Sequence, residues 1–165
     1  METLVAIAIL LIAVVGPMSI IGRSLPQSAY ARDHAIAINL AQEGIEAVRQ
    51  KRDSNMLSKW AIGSPDWNNG IGVGYYVVDP RSAPILTSCG GLCNTSSLSV
   101  RQDITAGWYY QSSTGTDPAI KFQRYIQISD ITVYEKKITS VVTWWDSVGV
   151  AHTLSVSEFI SGINS

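Results

Sequence analysis

The chain has 165 residues, a net charge of −1, 15% charged residues and a mean hydropathy of +0.15. That length suits one domain plus an anchor. The charge balance excludes a strong electrostatic pull toward nucleic acid or anionic lipid. The composition is apolar for a soluble domain, and the excess lies at the N-terminus.

In chain order, Glu2 comes first and is followed by an uncharged run from Leu4 to Ile21. As a helix that run is roughly 27 Å long, close to the hydrocarbon thickness of a bilayer. Gly16 and Pro17 interrupt it. Proline inside a helix removes a hydrogen bond and clashes one turn back, so a kink or local melting is expected near Gly16–Ser19. Gly22 and Pro26 add weak points. Residues Gly16, Pro17 and Gly22 read either as an extensible stretch or as an ordinary transmembrane kink.

Helical periodicity then resumes. Ala37, Leu40, Ala41, Gly44, Ala47 and Val48 share one apolar face, and Glu43, Glu46, Arg49 and Gln50 lie on the polar side. The reading is one long, bent helix to about Arg52, stopping in Asp53-Ser54-Asn55, whose short polar side chains compete for the backbone. The helix divides into an apolar part, residues 1–22, and an amphipathic part, residues 23–53. Residues 54–165 form a β-rich head.

Residues 54–72 read as loop, with Trp60 and Trp67 as anchors. Val73–Val78 reads as a strand closed by Asp79-Pro80. Residues 80–106 are rich in Ser, Thr, Gly and Pro. With the segment to 118 they form a variable loop, in which Trp108–Gln111 can make a short strand. Cys89 and Cys93 lie in that loop as Cys-Gly-Gly-Leu-Cys. In an oxidising compartment they can pair; otherwise they are two free thiols. A zinc site needs further ligands, and His34 and His152 lack ligand spacing.

Ile120–Ile128, Ile138–Trp145 and Val150–Val156 each have strand composition. Ile138, Ser140, Val142 and Trp144 fall on one face of the middle strand. Asp146-Ser147-Val148-Gly149 fits a turn between the second and third strands. The pattern is an antiparallel meander whose apolar face the amphipathic helix covers. The fold class is therefore α+β: a long N-terminal helix packed on a small antiparallel sheet.

The residues Glu2-Thr3-Leu4-Val5-Ala6-Ile7-Ala8-Ile9-Leu10 resemble the N-terminal helix of type IV pilins and pseudopilins. Leu40-Ala41-Gln42-Glu43-Gly44-Ile45-Glu46-Ala47-Val48-Arg49 is similar to the second half of many minor-pilin helices, and the last two strands are less specifically alike. The resemblance implies a pilin-like α/β-roll head and export across the cytoplasmic membrane. A single-pass stage with the head outside would then precede assembly into an extracellular filament. It also implies other pilin subunits, a prepilin peptidase and an assembly platform as partners. The family's leader, with its small residue at the cut, does not precede Met1, so the expectation is a start that lies further upstream.

Glu2 is the sharpest candidate. A carboxylate beside an apolar run is expensive in hydrocarbon, roughly 2.5–3.5 kcal/mol at the centre and less near the interface. The resemblance supplies a partner, the α-amine of a neighbouring subunit. The plainer reading is an interfacial residue that suits the dipole of a helix N-terminus. A cleaved secretory signal fits less well, because no basic region precedes the run and no Ala-x-Ala cut follows it.

The five tryptophans suit packing better than a ligand platform. Gly70-Ile71-Gly72-Val73-Gly74 lacks the Lys-Ser/Thr of a phosphate loop, and no catalytic motif appears, so no catalytic residue, cofactor or metal site is assigned. Asn94-Thr95-Ser96 matches a glycosylation sequon. The leading reading is a structural filament subunit, a minor pilin or a pseudopilin of a secretion system. The alternative is an anchored or tip-located binding module, an adhesin or DNA-capturing subunit, whose loop 80–118 does the recognising.

Overall fold

A computed structural model describes residues 2–13, 27–64, 66–91, 93–112 and 117–162. Helix α1 runs Glu2–Ile62. The weak points expected at Gly16, Pro17 and Gly22 lie outside the described residues. The chain forms two compact units, Met1–Ala35 and Ile36–Ser165.

In the first unit the described side chains from Glu2 to Ala13 are exposed. Tyr30 and His34, one helical turn apart, bring their rings to 5.9 Å. Among the described residues no helix is long and apolar enough to cross a membrane. Residues 14–21 of the expected span are not among them.

The second unit holds the rest of α1 and a seven-stranded antiparallel sheet. Its strands are β1 (Gly74–Val78), β2 (Leu86–Ser88), β3 (Ser99–Gln102), β4 (Tyr109–Gln111), β5 (Ala119–Asp130), β6 (Glu135–Trp145) and β7 (Ala151–Ser161). A four-residue helix, α2 (Thr95–Leu98), precedes β3, capped by Asn94, whose side-chain oxygen accepts the Ser97 N–H at 2.8 Å.

β5 organises the sheet. On one side it pairs with β6 from Phe122↔Trp144 to Asp130↔Lys136, and β6 pairs with β7. On the other side β5 is shared: β1 takes its C-terminal half and β3 its N-terminal half. β2 and β4 then flank β1 and β3. The meander expected from sequence is therefore present as β5–β6–β7. The turn between β6 and β7 closes at Gly149, whose φ of +83° suits glycine and whose N–H donates to the Asp146 carbonyl at 3.1 Å.

The face of α1 named from periodicity is the buried one. Ala37, Leu40, Ala41, Gly44, Ala47 and Val48 are buried, with Ile45 beside them. They meet the sheet in two clusters, one with Phe122, Val142 and Trp144, the other with Ile126, Ile128, Ile138 and Ile160. Gly44 lets the helix approach closely, since a Cβ there would stand 2.7 Å from Ser140 Oγ.

The structure corrects the sequence reading in three places. First, α1 continues past Asp53-Ser54-Asn55 to Ile62. Asn55 does not compete for its own backbone. Its amide donates to the carbonyls of Trp67 (3.0 Å) and Asn69 (2.7 Å). The helix stops instead at Gly63, with φ +76° and an N–H bonded to the Lys59 carbonyl at 2.7 Å. Second, the loop assigned to 80–118 holds β2, α2 and β3 besides β4, the short strand expected at Trp108–Gln111. These are too short to show a period of their own; β2 takes its pairing from β1, β3 from β5 and β4 from β3. Third, Trp60 is not an anchor: it lies on α1, 90% exposed.

Candidate functional site

Glu2 lies in the first turn of α1 and is exposed. Behind it Leu4, Val5, Ile7, Ile9, Leu10, Leu11 and Ile12 are each between 58% and 75% exposed. Helix geometry produces this surface, because an uncharged run without polar residues is apolar on every side.

Cys89 and Cys93 are joined in a disulfide. The ring follows β2, and the Cys89 N–H donates to the Tyr75 carbonyl at 2.8 Å, which fixes one end of the ring to β1.

The tryptophans separate. Trp144 is core, stacked on His152 with ring centroids 5.4 Å apart. Trp60 and Trp67 line one groove of about 980 Å³, with Met56, Leu57, Val133 and Tyr134. His152 Nε2 lies 3.1 Å from Asp146 Oδ2 at the β6–β7 turn. Among the described residues no group of three or more His, Cys, Asp or Glu could hold a metal ion.

Sequence reasoning missed a buried polar network centred on Arg124. Its guanidinium is fully buried. Nε donates to Gln111 Oε1 at 2.9 Å, and Nη1 donates to the Leu40 carbonyl at 2.9 Å and to Glu43 Oε2 at 3.1 Å. The Gln111 amide in turn donates to the carbonyls of Arg124 (2.6 Å) and Leu98 (2.8 Å). Burial draws the Arg124 pKa down and the Glu43 carboxylate pushes it back up, yet a guanidinium stays charged in proteins. The signal was present in the sequence: Phe122, Arg124, Ile126 and Ile128 share one parity on β5, so an arginine sits among core positions.

A second ion-pair group lies on the α1 flank. Arg49 bonds Glu158 of β7 through Nε (2.8 Å) and Nη2 (2.5 Å), and reaches Glu46 at 3.3 Å. The Glu158 carboxylate raises the Arg49 pKa.

No family model matches the chain, and neither does any curated protein or solved structure. Gln111, Arg124 and Glu43 tie α1 to the sheet and are structural. The surface that calls for a partner is the apolar helix segment headed by Glu2.

Proposed function

We propose that this protein is a structural subunit of a type IV pilus-like filament, a minor pilin or pseudopilin that assembles through α1. The observation that carries the reading is the row of exposed apolar side chains from Leu4 to Ile12. An apolar surface of that kind needs lipid or other apolar helices around it. The resemblance of residues 2–10 and 40–49 to pilin helices supports the choice of a filament over a plain anchor. In this reading the helix resides first in the membrane and then in a bundle with helices of other subunits.

Glu2 supplies the register. Its carboxylate pairs with the α-amine of a neighbouring subunit, and in a low-dielectric bundle that attraction offsets its desolvation. The test is Glu2→Ala in cells that make the filament. The variant should remain in the membrane fraction and be missing from sheared filaments. Wild-type incorporation of the variant would sink the proposal.

A further inference from the structure

Strand β7 is an open edge. Among the described residues it pairs with β6 alone, along all 11 of its residues and without a register shift. In an antiparallel ladder alternate residues point their N–H and C=O away from the neighbouring strand. From Thr153 to Ser161 these groups form a continuous template. Natural edges are blunted by lysine, proline, a bulge or an inward-pointing charge, and this segment has no lysine, proline or bulge. Its one charge, Glu158, bonds Arg49 of α1.

Beside this edge lies a groove of about 470 Å³ between α1 and β7. Glu43, Glu46 and Arg49 line it from the helix, and Val156 and Glu158 from the strand. Carboxylates outnumber guanidiniums there, even counting Arg124, which bonds Glu43 at 3.1 Å.

We infer that β7 and this groove take an extended, basic segment of a partner protein, added to the sheet as a further strand. Its backbone completes the ladder. The side chains on one of its faces enter the groove, where Lys or Arg meets Glu46 and Glu158 and an apolar residue covers Val156. A second copy of β7 is a poorer occupant, because the strand has no lysine or arginine to bring to these carboxylates. The inference does not depend on the filament reading.

The test uses the full chain and synthetic peptides matched to β7 in length. One alternates lysine with valine, and a second alternates glutamate with valine. Two more are the lysine peptide N-methylated at odd or at even backbone nitrogens. Fluorescence anisotropy reads affinity, and hydrogen exchange reads the β7 amides. The lysine peptide should bind, slow exchange along β7 and exceed the glutamate peptide by about tenfold or more. Glu46→Lys, at an exposed position, should weaken it by about tenfold. One N-methylated peptide should lose binding while the other keeps it, since only alternate nitrogens face the ladder. The inference is overturned by no binding at millimolar peptide. It is equally overturned by binding that ignores Glu46→Lys, or by equal effects of the two N-methylated peptides. A peptide-free chain of doubled mass with β7 already protected would assign the edge to a second copy and overturn it too.

Discussion

Arg124 on β5 donates from Nη1 to the main-chain carbonyl of Leu40 on α1, at 2.9 Å and across 84 residues of sequence. One side chain thus joins the helix to the strand that organises the sheet. A buried guanidinium is costly unless its donors are used. Here Nε and Nη1 are bonded, while Nη2 has no hydrogen-bond partner among the described residues.

Removing that side chain leaves a void and strips partners from Gln111 and Glu43. Arg124→Ala should therefore lose about 3 kcal/mol or more of stability. Arg124→Met keeps the volume, and Glu43, partly exposed, can turn to water, so its loss should be about 1 kcal/mol. Urea unfolding measures both. Equal losses for the two variants would show that the polar network rather than packing dominates.

Gly44 lies close to Ser140 of β6, so that a Cβ there would stand 2.7 Å from Ser140 Oγ. Gly44→Ala gains about 1 kcal/mol of helix propensity but overpacks against Ser140 Oγ at a cost of about 1–3 kcal/mol. A net loss of about 1 kcal/mol is expected from those two terms. Ser140 Oγ is buried with no hydrogen-bond partner among the described residues, so Ser140→Ala alone should be nearly neutral. The double variant should recover most of the loss. A double-mutant cycle on unfolding midpoints reads the coupling, and strict additivity would refute the contact.

The β6–β7 turn gives a pH dependence. Asp146 accepts the N–H groups of Val150 (2.8 Å) and Val148 (3.0 Å) and pairs with His152. The Val150 N–H first, and His152 next, hold its carboxyl below the usual carboxylate range. A depressed pKa means that the folded state binds its proton less readily than the unfolded chain does. The contribution is therefore complete above about pH 4 and fades as pH falls through the lower folded pKa. Asp146→Asn should lower Tm at neutral pH, and the gap to wild type should close in strong acid. A gap that is constant with pH would contradict this assignment.

The Cys89–Cys93 ring is small, so the loop-entropy model limits its contribution to about 2 kcal/mol. The native chain should show no reactive thiol at these positions. Replacing both cysteines by serine should lower the unfolding midpoint and leave the far-ultraviolet circular dichroism unchanged, because β5, β6 and β7 pair independently of the ring.

Long elements were legible because each repeats its own period. The apolar face of α1 follows from spacing alone and is buried as expected, and spacing also put Ile138, Ser140, Val142 and Trp144 on one face of β6, which the fold turns inward. The turn at Asp146–Gly149 was legible from its residue types. The candidate surface headed by Glu2 was also visible, since an uncharged run needs no fold to be apolar.

What the sequence determined by itself is therefore the apolar helix that opens the chain, the amphipathic face that follows it and the closing meander. The tertiary structure decided the rest. β2 and β3 are three and four residues long and exist because β1 and β5 present unpaired backbone to them. The continuation of α1 past Asn55 was decided there too, because its amide is held by carbonyls 12 and 14 residues away. Arg124 was decided in the same way, because its partners come from Leu40, Glu43 and Gln111, which only folding brings together. Periodicity records what a segment does alone, whereas a hydrogen bond across the fold records what its neighbours supply.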